Sequence, residues 1–147
     1  MENKEFSKQL EIRTRKFAIS IIKLSSSLPK TEEGKVIRNQ IIKSGTSIGA
    51  NYREANRSRS KAYFANRIRI CESEASETSY WLEIIVDIAW IDSGKINPIL
   101  KESNELVAIY TTIGKKLKTP IISSFLLTLG ILGILGTLGT LGTYFLM

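Results

Sequence analysis

The amino-acid sequence predicts an all-α protein, an antiparallel up-down-up-down four-helix bundle followed by an apolar low-complexity C-terminal tail. Three observations support this prediction. Apolar residues recur at helical spacing in four long segments, the joints between the segments are short, and neither period-two alternation nor an Asn-Gly or Asp-Gly hairpin pair occurs. We therefore divide the 147 residues into a bundle, residues 1–119, and a Leu/Gly/Thr tail, residues 120–147.

The first two helices are predicted on either side of a Ser-rich joint. The first, residues 4–26, has an apolar stripe made of Phe6, Leu10, Phe17, Ile21 and Leu24. The joint, Ser-Ser-Ser-Leu-Pro, ends that helix, because Pro29 disfavours helix in the residue before it. Thr31 then caps a second helix whose first turn holds two glutamates and is weakened by Gly34. The poor helix formers of residues 56–60 end that helix.

The last two helices are predicted from residue 61 to Asp92 and from Pro98 to Lys118. The third has an apolar stripe made of Phe64, Ile68, Cys71, Ala75, Leu82, Ile85 and Ala89. We expect Asp92-Ser93-Gly94 to end it with a left-handed glycine. The fourth has a stripe made of Ile99, Leu106, Ile109, Ile113 and Leu117.

The third helix has more apolar residues than one stripe needs. The additional ones are Ile70, Tyr80, Trp81, Ile84, Ile88 and Ile91. A helix of a four-helix monomer buries about one stripe, and surplus apolar surface commonly marks an interface. The sequence therefore predicts a homo-oligomer, without fixing the number of subunits.

The composition argues against most enzyme classes. The chain has no histidine and a single cysteine, Cys71, so it cannot build a zinc site or a Cys–His or Ser–His pair within one subunit. Glu54, Glu74 and Glu77 could meet as the carboxylates of di-iron bundles do, but those sites also use histidine. We expect no catalytic residue, no metal and no cofactor. The lone cysteine and the polar N-terminus predict a cytoplasmic protein.

The charge distribution indicates an anionic partner. The net charge is +7, and a basic block is followed by an acidic block over residues 72–92. The candidate nucleic-acid-binding residues are Arg53, Arg57, Arg59, Lys61, Arg67 and Arg69. They would contact phosphates, while the interleaved Tyr52, Tyr63 and Phe64 could stack on bases. The alternatives are pairing between the two blocks of neighbouring subunits, and an interaction scaffold for another protein.

The stretch from Ser44 to Ser60 has an unusual composition for a helix. Ser47, Asn51, Glu54 and Ser58 form one polar line at helical spacing, beside a face on which Gly45 and Gly49 would admit a close neighbour. Gly, Ser and Asn all lower helix propensity, so another property must favour them. Two interpretations are open: a tightly packed polar seam, or a ligand or nucleic-acid site that includes Asn51, Glu54 and Arg57.

The tail contains no charged residue from Ile121 to Met147, and its glycines recur every third residue from Gly130 to Gly142. Three interpretations are open. The segment is disordered or self-associating; it inserts into a membrane, with the lysines before it on the cytoplasmic side; or it packs as a fifth element.

Two motifs in the bundle are specific: Thr46–Ala55 (TSIGANYREA) and Glu74–Leu82 (EASETSYWL). They resemble a family of small bacterial four-helix-bundle proteins first noticed in intervening sequences of the large-subunit ribosomal RNA gene. That family is similar to the accessory variability proteins of diversity-generating retroelements. The resemblance covers roughly residues 6–117 and leaves the tail outside.

The resemblance implies properties that spacing alone does not. Family members are antiparallel bundles that form ring-like or barrel-like homopentamers, and most have no established activity. The retroelement relatives engage nucleic acid and a reverse transcriptase through a positive surface, so such a protein partner is implied by resemblance only. The implied structural seam, with Gly45 added from the spacing, consists of Gly45, Ser47, Ile48, Gly49, Asn51, Glu54, Ala55, Glu74, Glu77 and Trp81.

Overall fold

The computed structural model describes residues 2–118, with side chains from residue 4 onward. Its four helices are α1 (Glu2–Ser25), α2 (Glu32–Asn56), α3 (Lys61–Asp87) and α4 (Ser93–Lys118). No strand occurs in this part of the chain, which confirms the all-α class. The tail predicted over residues 120–147 lies outside the described residues. None of the four helices is long and apolar enough to span a membrane.

Neighbouring helices run antiparallel, because residue numbers rise along one helix as they fall along the next. Between α1 and α2, Ile21 lies against Gly45 and Thr14 against Gly49. Between α2 and α3, Ser44 contacts Thr78 and Asn51 contacts Arg67. Between α3 and α4, Ser79 contacts Ser103 and Glu72 contacts Thr111. An ion pair from Arg13 to Glu102 joins α1 to α4 and closes the bundle. The up-down-up-down topology is therefore confirmed.

The core is a continuous apolar cluster with its largest rings on α2 and α4. Tyr52 and Tyr110 are almost fully buried and pack edge to face, with ring centroids 5.6 Å apart. Cys71 of α3 is also fully buried, and its thiol donates to the Ile48 carbonyl oxygen at 3.5 Å. Burial raises the pKa of that thiol to about 12. The centre of the bundle is thus well isolated from water.

The predicted junction between α3 and α4 is wrong. α3 ends at Asp87, five residues early, and the left-handed position is Ala89 with φ 53°, whereas no described glycine has positive φ. Asp92 caps the start of α4 instead of ending α3, because its Oδ1 accepts the Gly94 N–H at 3.0 Å. Pro98 consequently lies inside α4 and not at its start.

Two predicted apolar stripes also need correction. Phe6 is half-exposed, so the buried face of α1 begins at Leu10. On α4 the fully buried positions are Ile96, Ser103, Leu106 and Tyr110. Of the predicted α4 stripe, only Leu106 is among them. The predicted stripe lies at the edge of the buried face, because Ile99, Ile109 and Ile113 are only partly buried but still pack against the core.

Gly34 has the opposite role from the one predicted. Thr31 does cap α2, and its Oγ1 accepts the Gly34 N–H at 3.1 Å. A Cβ at Gly34 would overlap the carbonyl oxygen of Pro29. The connection from α1 passes directly over this position, so glycine allows the close approach where we expected only a weaker first turn.

Candidate nucleic-acid interface

The topology collects basic residues at one end of the bundle, which we call the basic end. It comprises the α2–α3 turn, the start of α1 and the end of α4. Its exposed cations are Arg53, Arg57, Arg59, Lys61, Lys4, Lys8 and Lys116. Lys4, Lys8 and Asn56 line one open pocket, which places the start of α1 beside the end of α2.

Three of these cations were not singled out from the sequence, namely Lys4, Lys8 and Lys116. They belong to segments far from the basic block along the chain. An up-down-up-down bundle nevertheless places the start of α1 and the end of α4 beside the α2–α3 turn. The predicted topology therefore contained the signal that could have found them.

The α2–α3 turn presents its cations without internal partners. Arg57 is the C-cap of α2, and its backbone N–H bonds to the Glu54 and Ala55 carbonyl oxygens. Ser60 then caps α3 by accepting the Tyr63 N–H at 3.5 Å. The side chains of Arg57, Arg59 and Lys61 are exposed and form no ion pair within residues 4–118. Their charges are available to an anionic ligand.

The other predicted cations differ from these three. Arg53 is exposed and lies 4.0 Å from a carboxylate oxygen of Glu11, a separation at the limit of an ion pair. Arg69 lies further along α3, beside Glu72 and Ser73. The six predicted binding residues therefore do not form one surface.

Arg67 lies on the surface of the bundle, where residues of two helices hold its guanidinium group. Its Nη1 donates to Asn51 Oδ1 at 2.7 Å, and its Nη2 lies 2.7 Å from Glu54 Oε2. Its Nε and Nη2 also donate to the Tyr63 hydroxyl, at 2.9 and 2.6 Å, and these bonds raise the pKa of Arg67. Four of the five guanidinium N–H groups are thus engaged. Arg67 therefore joins α2 to α3, and only one of its N–H groups remains to bind a phosphate.

The three aromatic residues proposed for stacking have different environments. Tyr52 is in the core and is inaccessible to a base, which excludes that part of the prediction. Phe64 is partly buried and packs against the core cluster. Tyr63 is 42% exposed and is the one of the three that a base can reach.

The predicted seam on α2 has two separate faces. Gly45 and Gly49 face α1, where an added Cβ would lie 2.8 Å from Ile21 Cγ1 and 3.3 Å from Thr14 Oγ1, respectively. Asn51 and Glu54 face α3 and bind Arg67. Ser47 contributes its carbonyl oxygen, which accepts from Asn51 Nδ2 at 2.9 Å. Close packing and polar contacts therefore occupy different sides of the same helix.

The acidic-aromatic motif of α3 is local and does not join Glu54. Trp81 Nε1 donates to Glu77 Oε1 at 3.3 Å, one turn away on the same helix. Glu74 Oε2 is buried with no hydrogen-bond partner among the described residues, and burial raises the pKa of this carboxyl group, with a further contribution from the charge of Glu77. Glu54 pairs with Arg67, which precedes Glu74 by about 10 Å of helix. Residues 4–118 contain no cluster of three or more metal-ligating side chains.

Comparison with known proteins agrees with this geometry. A family model described as the 23S rRNA-intervening sequence protein matches residues 5–112. The chain is also similar to a protein of unknown function from the S23 ribosomal protein family of Bacteroides thetaiotaomicron VPI-5482, whose crystal structure is known. The two sequences are 36% identical, the match covers 71% of this chain and 97% of that one, and the TM-score is 0.66. No curated protein gives a significant match. The resemblance found in the two motifs is confirmed.

Proposed function

The chain belongs to the 23S rRNA-intervening sequence protein family, and from this premise we propose that it is a non-enzymatic, oligomeric bundle that binds structured nucleic acid through its basic end. The ligand is RNA or DNA, contacted mainly at its phosphates. The separation of Glu54 from Glu74 along the α2–α3 interface supports the non-enzymatic part of the proposal, because carboxylates that act on one metal or substrate must converge. Metal analysis of the purified protein that found bound iron or manganese would contradict it.

One observation supports the nucleic-acid part above all others. Arg57, Arg59 and Lys61 are exposed, lie within five residues of one another and have no internal ion pair within the described chain. Lys4 and Lys8 extend the same surface. Cations in this arrangement release counterions from a phosphate backbone, which produces affinity that falls steeply with salt.

The experiment is a titration of the full chain against a labelled RNA hairpin at several salt concentrations. The test variant replaces Arg57, Arg59 and Lys61 with Ala. The matched control replaces Lys23, Lys30 and Lys35, three exposed lysines near the opposite end, with Ala and so removes the same charge. We expect the test variant to lose at least about tenfold in affinity and to lower the salt slope by roughly two to three, because up to three phosphate contacts disappear.

The control should bind nearly as well as the wild-type protein. Equal losses in both triple variants would mean that net charge, and not the basic end, determines binding. Absence of binding by the wild-type protein even at low salt would refute the nucleic-acid function.

We further propose a homo-oligomer, for which α1 offers the contact surface. Ile12, Ile19 and Ile22 are 40%, 43% and 48% exposed and lie at spacings of seven and three on one face of the helix. The surplus on α3 is smaller than the sequence suggested, because Ile91 is buried. Five subunits are implied by the resemblance to the family.

Light scattering tests the oligomer directly. We expect the double variant Ile19→Ser/Ile22→Ser to shift mass toward the monomer, while Val36→Ser, an exposed position on α2, leaves the mass unchanged. A wild-type protein that is monomeric at micromolar concentration would refute self-association.

A protein-interaction scaffold is the second candidate, and a separate surface favours it. Tyr80 of α3 and Ile88, the residue that follows α3, are exposed beside the acidic Glu83 and Asp87, away from the basic end. A mixed apolar and acidic surface suits a protein partner that presents complementary apolar and basic groups. A partner recovered equally before and after nuclease treatment, and lost in Tyr80→Ser/Ile88→Ser, would favour the scaffold.

A further inference from the structure

Tyr63 is an exposed aromatic ring that is fixed in place. It lies in the first turn of α3, and 42% of it is accessible. The guanidinium carbon of Arg67 lies 4.9 Å from the ring centroid. The Tyr63 hydroxyl accepts from Arg67 Nε and donates to Glu54 Oε2 at 3.3 Å. One face and the polar edge of the ring are therefore engaged, which leaves the remaining surface to solvent.

The position of the ring is set by two helices. Arg67 lies on α3, one turn after Tyr63, while Asn51 and Glu54 hold its guanidinium from α2. Rotation of the ring would break hydrogen bonds on both helices. An aromatic group that is already immobile loses little conformational entropy when a ligand packs on it, so the arrangement is preorganised for stacking.

The surroundings of the ring match a nucleotide. Lys61 precedes Tyr63 by two residues, and Arg57 and Arg59 occupy the same turn without internal ion pairs. Phosphate-binding cations and a π-surface on one short segment are the two components of single-strand recognition. We infer that Tyr63 stacks on an unpaired base, so that the basic end selects nucleic acid with unpaired nucleotides over an uninterrupted duplex. This inference rests on the proposed function.

Tyr80 provides a natural control. It is also on α3 and is 56% exposed, but it packs edge-on against Trp81, and no guanidinium among the described residues lies over its ring. Its charged neighbours along the helix include Glu77 and Glu83. Exposure alone therefore does not distinguish the two tyrosines, whereas their fixation and their neighbouring charges do.

The test uses the full chain and two labelled RNAs with the same number of phosphates, a blunt duplex and a stem with an unpaired internal loop. We expect Tyr63→Leu to weaken binding of the looped RNA by roughly five- to 150-fold, the range for loss of one base–aromatic stack. Binding of the duplex should change little. Tyr80→Leu should leave both affinities near the wild-type values, and Tyr63→Phe, which keeps the ring, should lose less than Tyr63→Leu.

A second measurement uses the wild-type protein and so does not depend on the folding of a variant. The looped RNA with 5-bromouridine at its unpaired positions is irradiated in the complex, and the attached peptide is mapped. Attachment at Tyr63 supports stacking. Three results would overturn the stacking inference while the proposed function stands. They are attachment at another residue, equal affinity of Tyr63→Leu and wild type for the looped RNA, and equal losses of Tyr63→Leu on both RNAs. A wild-type protein that binds neither RNA refutes the proposed function itself.

Discussion

The two sides of α2 achieve helix packing by different chemistry. Toward α1, Gly45 and Gly49 remove side chains altogether, so that Ile21 and Thr14 approach the backbone of α2. Toward α3, Ser44 and its neighbours extend polar groups that hydrogen-bond across the interface. The first side depends on excluded volume and the second on satisfied donors and acceptors.

The two sides of α2 are therefore sensitive to different kinds of substitution. An added methyl group is harmful toward α1, because the space is already filled, and a removed hydroxyl is harmful toward α3, because its partner loses a bond. The following predictions test this contrast by denaturant unfolding at one protein concentration, since self-association would make stability depend on concentration.

The largest effect is expected for Gly34→Ala at the start of α2. The new Cβ would overlap the Pro29 carbonyl oxygen, and a backbone atom cannot move aside as a flexible side chain can. We expect the free energy of unfolding to fall by about 3 kcal/mol. An unchanged unfolding midpoint would show that the connection between α1 and α2 is not tightly packed.

Gly45→Ala should have the next largest effect. Its Cβ would lie 2.8 Å from Ile21 Cγ1, and we expect a loss of about 1–2 kcal/mol. Gly49→Ala is the matched control, because its Cβ would lie 3.3 Å from Thr14 Oγ1 and the gain in helix propensity, up to about 1 kcal/mol, offsets the crowding. Equal losses at both positions would contradict the steric explanation.

Thr78→Val tests the side of α2 that faces α3. The buried Thr78 hydroxyl lies 3.0 Å from Ser44 Oγ and 2.7 Å from the Glu74 carbonyl oxygen. Valine keeps the shape and removes these bonds, so we expect a loss of about 1 kcal/mol. The control is Thr112→Val, an exposed position whose hydroxyl bonds only to the Ala108 carbonyl oxygen. A similar loss in the control would mean that intrinsic propensity explains the result.

The smallest effect concerns Glu74, which faces Lys43 and Glu77. Burial raises its pKa in the folded state, so the stabilisation belongs to the protonated form and is lost as pH rises through that raised pKa. We therefore expect Glu74→Gln to melt slightly above wild type at pH 7 and to match it below about pH 4, where Glu74 is itself neutral. A lower melting temperature for Glu74→Gln than for the wild-type protein at pH 7 would contradict the assignment.

The sequence was sufficient for the bundle and insufficient for one of its junctions. Helical spacing and Thr31 located α1 and α2 within about two residues. Asp92-Ser93-Gly94 misled the interpretation, because aspartate is typical of a helix start and glycine of a helix end. In the structure the chain turns at Ala89, which has a left-handed backbone conformation that alanine does not favour. Local signals compete there, and the burial of Ile91 and Ile96 decides between them.

The site was less predictable, because it depends on which residues meet across helices. The polar line of α2 correctly placed Asn51 and Glu54 on one face. Nothing in the spacing shows that Arg67 reaches both of them, since that requires the α2–α3 register. The burial of Tyr52 could be predicted from the sequence, because Tyr52 follows Ile48 by four residues on the apolar stripe. The exposure and fixation of Tyr63 were not.

The buried Cys71 makes local unfolding of the bundle core measurable by thiol labelling. It is the sole cysteine of the chain, it is fully shielded, and burial keeps its thiol protonated. A thiol reagent can react only when α2, α3 and α4 separate, so the labelling rate reports how often the centre of the bundle opens. Reaction that slows when nucleic acid is added would measure ligand binding from a residue that no ligand touches.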